Sequence, residues 1–450
     1  MSKYKYTLRD YHAIKEAEIK LDGITVLSGI NGCGKSTLSR WLYYLVNGSA
    51  RFEEFEYSLY KELIINDLFV LEGFFSQIES RLMFGLHIKT EYYSVNVGKI
   101  KRDIAEIYYT PGDLEQNCEK IKNIYLNILS YIGRGLLEYL EHEPDIAQKN
   151  RIFSLFGCDI NQDNKQGLIT KVIEKRANKI NDITEDLFSR INQRSKGDFF
   201  RLIEKNFVEK LNDDSHIQIL EDDVAIIGET YLSKIFNLNK AIYIDTPMAV
   251  TSYNTQNIFW SDLQYKLISD NSDKANYLKL LLRIKRILEG ETVLNKDELS
   301  QRKNLHFVSS DNKINILLKD VATGYKSFSY IQRLLENGEL TSETLLMIDE
   351  PEAHLHPQWI VEFARILVML HKEIGVKIMI ASHNPDMISA IQAIAEAAGV
   401  IENTNFYLAE PYEGNPHQYV YRCLGQDIED IFKSFNVAFD KINMYANLKQ

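Results

Sequence analysis

Two glycines, a lysine and a serine stand at a spacing that can enclose a chain of phosphates. The pattern is glycine, any four residues, glycine, lysine and serine, and it occupies residues 29–36 of this 450-residue chain. Because glycine has no Cβ, the backbone can turn tightly there and direct its N–H groups at a triphosphate. Lys35 would reach the β- and γ-phosphates, and the hydroxyl of Ser36 would bind Mg²⁺. Cys33 lies at a variable position of this loop, counts among its nucleotide-binding residues and needs no redox role.

The loop lies between a strand-like and a helix-like stretch, which is the context that the motif requires. Residues 24–27 form an apolar run typical of a buried strand. After the loop, apolar side chains recur at helical spacing, at Leu38, Trp41, Leu42 and Leu45. We therefore expect a strand, a glycine turn and a helix, with the positive end of the helix dipole at the phosphates. Upstream, Tyr11 would either stack on a base or pack at the end of a strand.

A second candidate group is an apolar strand that ends in two carboxylates, at residues 344–350. Paired with a phosphate loop, the first acid, Asp349, would hold Mg²⁺ beside Ser36 or through the water shell of the metal. The second acid, Glu350, would polarise the attacking water as a general base. Another buried strand-like run is followed by His383, which would reach the γ-phosphate and sense its loss.

A turn of small residues, at 321–327, precedes an amphipathic helix. The N-terminus of a helix presents unpaired N–H groups and the positive end of its dipole. The turn is therefore a second candidate phosphate site, through Thr323, Gly324 and Lys326.

The charge and composition of the chain exclude some classes of function. The formal net charge of −11 argues against a protein that coats nucleic acid by charge alone, and direct DNA contact would need a local basic patch. The four cysteines have neither metal-ligand nor disulfide-like spacing and indicate free thiols in a reducing compartment. No apolar run approaches the roughly 20 residues that span a bilayer, and no N-terminal signal is visible. We therefore expect a cytoplasmic protein without a membrane partner.

The predicted elements divide the chain into one nucleotide-binding core and two insertions. We expect core elements at residues 1–50, 216–252 and 305–450, a mainly helical insertion at 51–215 and a second helical insertion at 253–304. The first insertion contains an extended-looking interruption at 85–110. A helical insertion of this size is useful for contacting a partner, although helices more often serve as extra packing on a core.

The phosphate loop, the small-residue turn, the strand with Asp-Glu and the strand with His follow in a fixed order. This order resembles the ABC-type ATPase heads of the RecF and SMC class, and more closely the bacterial AAA-15/AAA-21 ATPases and the OLD-family ATPase domain. The likeness rests on YHAIKEAEIKLDGITVLSGINGCGKSTL near the start, and on LLMIDEPEAHLHPQW, SHNPDMI and LGQDIEDIFKSFNVAF in the final third. It implies an α/β P-loop NTPase head with a mixed or parallel sheet core, an antiparallel β subdomain and helical insertions.

The resemblance also implies a role for each matched residue, with ATP and Mg²⁺ as the ligands. The Walker A loop comprises Gly29, Asn31, Gly32, Gly34, Lys35, Ser36 and Thr37. Asp349 is the Walker B acid, Glu350 the catalytic base and His383 the switch histidine. Gly324 and its neighbours form the signature motif, which in such ATPases acts in trans, so that two heads enclose two ATP molecules. Residues 351–356 are the D-loop equivalent at that interface.

One departure from the family pattern affects the expected chemistry. The signature motif usually begins with a serine that contacts the γ-phosphate, whereas this chain has Ala322 there, and Tyr325 stands where an acidic or amide residue is common. Thr323 or Ser327 would have to substitute, and hydrolysis in trans would be slow or would require a partner. The strand that ends at Asp245 is the candidate for the Q-loop.

The resemblance points to a partner on another polypeptide. OLD-family nucleases carry a Toprim domain after the ATPase, and the stretch after His383 is too short for one. The likeness therefore favours two-component anti-phage systems of the PARIS or Septu kind. In those systems the ATPase assembles as a head-to-head dimer or higher homo-oligomer and restrains or releases an effector, such as a Toprim or HNH nuclease. Two alternatives stay open: a RecF- or SMC-like DNA-repair ATPase that contacts DNA directly, and a nucleotide-bound scaffold with negligible hydrolysis.

Overall fold

The chain forms two compact units, which we call the sheet unit and the helical unit. The sheet unit comprises Met1–Arg51 and Ser195–Gln450, and the helical unit comprises Phe52–Arg194. The computed structural model describes residues 3–80, 97–110, 112–155, 165–207, 209–212, 214–245, 258–269, 277–296, 303–433 and 444–445. Within these ranges, no helix combines the length and the apolar character that a membrane crossing requires.

The elements of the sheet unit are numbered in chain order together with those of the helical unit. The strands are β1 (Tyr4–Tyr11), β2 (Ile14–Lys20), β3 (Ile24–Ser28), β4 (His216–Glu221), β5 (Val224–Ala225), β6 (Lys240–Ile244), β7 (Gly290–Lys296), β8 (Lys303–Ser309), β9 (Asn315–Leu317), β10 (Thr344–Asp349), β11 (Lys377–Ala381), β12 (Thr404–Tyr412) and β13 (Asn415–Gly425). The helices of the sheet unit are α1 (Lys35–Ala50), α7 (Lys196–Phe207), α8 (Ile258–Ile268), α9 (Leu278–Leu288), α10 (Thr323–Glu336), α11 (Pro357–Ile374) and α12 (Pro385–Ala398). The helical unit contains α2 (Phe52–Ser80), α3 (Val97–Ala105), α4 (Leu114–His142), α5 (Ile146–Leu155) and α6 (Lys165–Gln193).

One mixed sheet forms the centre of the sheet unit, with its strands in the order β5-β4-β1-β2-β13-β12-β3-β11-β10-β6. Strands β12, β3, β11, β10 and β6 run parallel to one another, whereas β1 pairs antiparallel with β2 and β4. Strands β10 and β11 are buried along their whole length, as is typical of parallel strands with both faces covered. The predicted α/β fold, with a partly parallel core and an antiparallel part, is confirmed.

The register of the parallel strands brings the candidate groups to one edge of the sheet. Leu27 of β3 pairs with Ala381 of β11, and Ala381 pairs in turn with Asp349 of β10. In parallel strands the carboxyl ends lie at the same edge, which is where ligands bind in open α/β sheets. The phosphate loop, Glu350 and His383 each follow one of these strand ends.

A small antiparallel sheet of β7, β8 and β9 lies against α10. The hydroxyl of Thr292 donates to the hydroxyl of Ser329 at 2.7 Å, and the backbone N–H of Thr292 donates to Oε1 of Gln332 at 3.0 Å. The prediction of a helical insertion at 253–304 is therefore wrong for β7 and for the first residues of β8. Helix α9 ends at Leu288 with Glu289 as its C-cap, and the β-branched residues Thr292 and Val293 then favour a strand.

The helical unit is built on long helices that pack side by side. Asp67 of α2 forms an ion pair with Arg176 of α6 at 3.0 Å, and Glu56 forms one with Arg190 at 2.9 Å. Because the earlier residue of α2 meets the later residue of α6, these two helices run antiparallel. Tyr125 of α4 also donates to the carboxylate of Asp67, so a buried polar cluster joins all three helices.

Two predictions about the first insertion are corrected by the structure. Val97–Ala105 is helix α3, not part of an extended interruption at 85–110, and residues 85–96 lie outside the described residues. Helix α7 belongs to the sheet unit, although the insertion was predicted to run to residue 215. The physical reason is a close contact with α1, where a Cβ on Gly48 would lie 2.6 Å from Cε2 of Phe199. Residues 434–439 of the C-terminal segment LGQDIEDIFKSFNVAF also lie outside the described residues.

Candidate functional site

The phosphate loop joins β3 to α1 at the carboxyl edge of the sheet. Lys35 is the first residue of α1, and Gly34, which precedes it, has a φ of +97°. A Cβ on Gly34 would lie 2.7 Å from Cγ1 of Ile14, so both the backbone angle and the available space require glycine. Gly32 has a φ of +83° and is exposed, as is Asn31. The loop therefore offers its backbone to a ligand at the start of a helix.

The ammonium group of Lys35 lies within the loop. Its Nζ donates to the carbonyl oxygens of Gly29 and of the next residue, at 2.8 and 3.0 Å, and the residue is 7% exposed. The buried thiol of Cys33 lies 3.7 Å from the same Nζ. Ser36 is exposed, and Thr37 is half-buried. The positive charge is therefore held at the loop by carbonyl groups, which a phosphate can replace as the partner of Nζ.

Asp349, at the end of β10, contacts the helix that carries Lys35. Its Oδ1 accepts a hydrogen bond from the hydroxyl of Ser39 at 2.9 Å, and its Oδ2 accepts one from the hydroxyl of Tyr243 at 2.8 Å. Burial raises the pKa of this carboxyl, while hydrogen bonds from Ser36, Tyr243 and Ser39 act in the opposite direction. The structure thus brings the two predicted magnesium ligands, Ser36 and Asp349, together.

Ser36 and Asp349 have the chemistry of a magnesium site. Both supply oxygen atoms, which Mg²⁺ prefers, and they come from different elements of the fold. Mg²⁺ is usually held by one or two protein oxygens together with water and substrate phosphates. In the described part of the chain, no group of three or more His, Cys, Asp or Glu side chains could hold a metal ion. The two residues therefore fit a magnesium ion that is shared with nucleotide phosphates.

Glu350 and His383 are neighbours at the same edge. The Nδ1 atom of His383 lies 3.5 Å from Oε1 of Glu350, and the two side chains are 45% and 39% exposed, respectively. The backbone N–H of Glu350 donates to the carbonyl of Ala381 at 2.8 Å, which fixes this residue to β11. The predicted base and the predicted switch histidine therefore lie together, on a side of the site that water can reach.

Tyr243 and Ser39, which both donate to Asp349, carry no motif and were not predicted, and Glu352 lies in the predicted D-loop segment 351–356 but had no predicted role. Burial and the nearby charge of Asp349 raise the pKa of Tyr243 well above its usual range, so its hydroxyl stays protonated and donates to that carboxylate. Burial also raises the pKa of Glu352, which lies in the turn after β10 and accepts a hydrogen bond from Ser382 at 2.8 Å. Two signals were available: Tyr243 lies two positions before Asp245, the candidate Q-loop residue, and Glu352 lies in the predicted D-loop segment.

The signature segment forms the start of α10, with Ala322 at the N-cap. The prediction that Lys326 contacts a phosphate stays a prediction, since its buried Nζ donates to the carbonyl of Lys319 at 2.7 Å. Burial also lowers the pKa of Lys326. Ser327 is buried as well, so it does not replace the missing serine. Thr323, half-exposed at the first helical position, is the hydroxyl that stays available.

Gly324 packs against the turn that follows the acid pair. A Cβ at this position would lie 3.1 Å from Cδ2 of Leu355 and 3.4 Å from the carbonyl oxygen of His354. The ring of Tyr325 meets the ring of Trp359 edge-on, with 4.9 Å between their centroids. Within one chain, the signature helix therefore packs against the predicted D-loop. The action of the signature motif in trans stays a prediction.

Tyr11 and Asp245 are the two remaining candidate contacts. Tyr11 is buried, with its ring edge-on to Trp41 at 5.6 Å and its hydroxyl 3.2 Å from Glu209. The structure thus supports packing for Tyr11 rather than stacking on a base. Asp245 directly follows β6, and residue 246 lies outside the described residues, so the Q-loop assignment stays a prediction.

Several known proteins are similar to parts of this chain. The energy-coupling factor transporter ATP-binding protein EcfA3 of Clostridium perfringens is 39% identical over 72 residues, which are 16% of this chain and 25% of that protein. The Old nuclease of Escherichia phage P2 is 35% identical over 100 residues, which are 22% of this chain and 15% of that protein. The Septu protein PtuA of Bacillus mycoides is 26% identical over 146 residues, which are 31% of this chain and 19% of that protein. The chain thus spans a quarter or less of the length of each relative.

A solved structure and a family model cover much more of the chain. The Smc head domain of Pyrococcus furiosus with an extended coiled coil, bound to the C-terminal domain of ScpA, aligns with 98% of this chain and 100% of its own, at 10% identity and a TM-score of 0.34. The model described as AAA ATPase domain matches residues 4–388, a range that includes the phosphate loop, the acid pair and His383. On this match, the chain belongs to the AAA ATPase domain (AAA_15) family.

Proposed function

We propose that this protein binds ATP together with Mg²⁺ and hydrolyses it to ADP and phosphate. The observation that carries the proposal is the joint contact of Ser36 and Ser39, both on α1, with the carboxylate of Asp349 on β10. A phosphate loop and a metal-binding carboxylate must lie side by side to serve one magnesium-bound triphosphate. Membership of an ATPase family supports the same function.

In the proposed reaction each residue has one task. The loop N–H groups and Lys35 would hold the β- and γ-phosphates, and Ser36 and Asp349 would hold Mg²⁺, which would supply positive charge at the phosphates. Glu350 accepts a proton from the water whose oxygen attacks the γ-phosphorus, as the bond from that phosphorus to the ADP oxygen breaks. His383, beside Glu350, contacts the γ-phosphate and senses its departure.

We further propose that the nucleotide state controls assembly of the protein and the activity of a partner. The contact of Gly324 with the turn at His354 and Leu355 supports this, because ordering of one segment would then order the other. The partial similarity to the Old nuclease and to Septu protein PtuA supports a role in bacterial anti-phage defence. The effector would be a separate protein, such as a Toprim or HNH nuclease.

A nucleotide-bound scaffold with negligible hydrolysis is the second candidate function. Ala322 has no hydroxyl for a γ-phosphate in a second head, and the hydroxyl of Ser327 is buried. A head without this contact would assemble on ATP and retain it. Steady-state ATP turnover, measured with the protein alone and with the product of a neighbouring gene, separates the two candidates.

The proposed ATPase is tested with two variants and two matched controls. Lys35→Ala should abolish nucleotide binding, whereas Glu350→Gln should bind ATP, lose about 10²–10⁴-fold in turnover and accumulate as the ATP-bound assembly in size-exclusion chromatography. Lys313→Ala and Glu429→Gln change exposed side chains of the same types and should behave as wild type. Unchanged nucleotide binding in Lys35→Ala would overturn the proposal, and unchanged turnover in Glu350→Gln would remove Glu350 from its role.

A further inference from the structure

A buried glutamate, Glu352, lies in the turn between β10 and α11 and has no task in the reaction proposed above. It is 7% exposed, and its Oε1 accepts hydrogen bonds from the hydroxyl of Ser382 at 2.8 Å and from the backbone N–H of His383 at 3.2 Å. Its Oε2 is buried and has no hydrogen-bond partner among the described residues. A buried carboxyl with one oxygen unused is costly, so an apolar residue would serve stability better at this position.

Glu352 lies next to His383, the predicted switch histidine. The Oε1 atom of Glu352 lies 3.8 Å from Nδ1 of His383, whose ring is also beside Glu350. Ser382, the hydroxyl donor to Glu352, accepts a hydrogen bond from the backbone N–H of Asn384 at 3.1 Å. Glu352 therefore fixes the backbone N–H of His383 and the side chain of Ser382, and it also lies near the imidazole.

The turn that contains Glu352 also contacts α10. The backbone N–H of Leu355 donates to the carbonyl of Glu352 at 3.0 Å, so the turn closes directly behind this residue. Gly324 of α10 packs against the side chain of Leu355 and the carbonyl of His354. Because packed groups at van der Waals distance move together, a shift of the turn reaches the start of α10. Glu352 is thus the central link in a chain of contacts from His383 to Gly324.

We propose that Glu352 is a positioning residue that couples His383 to the signature helix α10. This inference rests on the ATPase function proposed above and supplies a route for its regulation. While a γ-phosphate holds His383, Glu352 keeps the turn against Gly324. When the phosphate leaves, the displacement of Ser382 and His383 is passed through Glu352 to the turn and from there to α10. Because one carboxylate oxygen of Glu352 accepts hydrogen bonds from both Ser382 and His383, it moves when either donor moves. An apolar side chain makes no such hydrogen bonds.

The test is a double-mutant cycle between Glu352 and His383, read as ATP turnover and ATP affinity. Glu352→Ala should lower kcat by about tenfold to a hundredfold while ATP affinity stays within about threefold of wild type, since misplaced catalytic groups cost this much. Glu352→Gln keeps an oxygen for both donors and should recover most of the loss. In a His383→Ala background the further effect of Glu352→Ala should nearly vanish, because the two residues act through one path. Glu373→Ala, at an exposed glutamate of α11, is the control.

Three results would contradict the coupling between Glu352 and His383. Wild-type kcat in Glu352→Ala, a loss in Glu352→Gln as large as in Glu352→Ala, or additive effects with His383→Ala would each overturn the inference. If His383→Ala leaves no measurable turnover, the same cycle is read on ATP-dependent assembly by sedimentation. If Glu352→Ala does not fold, Ser382→Ala removes one donor and should show a smaller loss that also vanishes in the His383→Ala background. Absence of turnover in the wild type would instead contradict the proposed ATPase.

Discussion

The hydroxyl of Ser39 lies 2.9 Å from Oδ1 of Asp349, although 310 positions separate the two residues along the chain. Ser39 lies one turn after Lys35, on the same face of α1. The hydrogen bond therefore ties the helix that carries the lysine to the strand that carries the acid. With Tyr243 on the other oxygen, the carboxylate is oriented by the fold itself, before any ligand binds.

Removal of the Tyr243 hydroxyl should weaken the magnesium site. In Tyr243→Phe, Oδ2 of Asp349 loses its donor, and loss of a hydrogen bond that orients a metal ligand typically costs 10–100-fold in metal affinity. We expect the Mg²⁺ concentration at half-maximal turnover to rise about tenfold, and the free energy of unfolding to fall by about 2 kcal/mol. Turnover measured against Mg²⁺ concentration, together with urea unfolding, checks both effects.

Tyr265→Phe is the matched control for this prediction, because it removes a hydroxyl from an exposed tyrosine of the same unit. It should leave both measurements unchanged. A Tyr243→Phe protein with the magnesium dependence of wild type would show that the hydroxyl does not orient Asp349.

The parts of the site that could be predicted from sequence are those with a local pattern. The phosphate loop, Asp349 and His383 stand at strand ends in a fixed order, and the parallel register then places them at one edge. Tyr243, Ser39 and the contacts of Glu352 could not be found this way, because they depend on which strands and turns become neighbours rather than on spacing along the chain.

The incorrect predictions also have physical reasons. The helical pattern of residues 196–207 suggested that they belong to the first insertion, but the packing of Phe199 against Gly48 of α1 places this helix in the sheet unit. Gly290 was interpreted as a helix stop within a helical insertion, and the strand that begins there became evident only from its pairing with β8 and its hydrogen bonds to α10. In both cases tertiary contacts overrode the local signal.

Gly34 should not tolerate a side chain. In Gly34→Ala, a left-handed backbone angle costs about 1–2 kcal/mol, and the new Cβ would also meet Cγ1 of Ile14 at 2.7 Å. We expect a lower urea midpoint and weaker nucleotide binding, because relief of the contact distorts the loop. Gly197→Ala is the control, since a Cβ in the first turn of α7 would meet only Oγ of Ser195, at 3.9 Å. Equal urea midpoints for the two variants would contradict the strain at Gly34.

A hydroxyl at position 322 should stabilise α10. Ala322 is the N-cap residue and makes no side-chain cap, so Ala322→Ser should add about 1 kcal/mol of stability and raise Tm by about 1–2 °C. If the signature motif contacts a γ-phosphate in a second head, kcat should rise as well. Thermal melting and steady-state turnover measure the two effects separately.

Ala322→Val serves as the control, because it adds bulk at the same position without a hydroxyl. It should lack both gains. Equal Tm values for the serine and valine variants would exclude the cap, whereas a raised Tm with unchanged kcat would exclude the phosphate contact.

Buried His371 should make the stability of the sheet unit depend on pH. Burial lowers its pKa below the ordinary value of 6.5, and its Nδ1 lies 3.0 Å from the carbonyl of Val376. Below pH 6.5 the unfolded chain therefore binds a proton that the folded chain does not. This contribution to stability is complete above pH 6.5 and is lost as the pH falls toward the folded pKa, by at most about 1.4 kcal/mol per pH unit.

Urea unfolding of wild type and His371→Asn between pH 5.5 and pH 7.5 isolates this effect, because the carboxylates contribute alike to both proteins. An asparagine amide can donate to the carbonyl of Val376 but does not ionise in this range, so the variant should lose less stability on acidification. His12→Asn is the control, at an exposed histidine with a φ of +50° that asparagine tolerates. A pH dependence in His371→Asn equal to that of wild type would mean that His371 carries a proton equally in the folded and the unfolded chain.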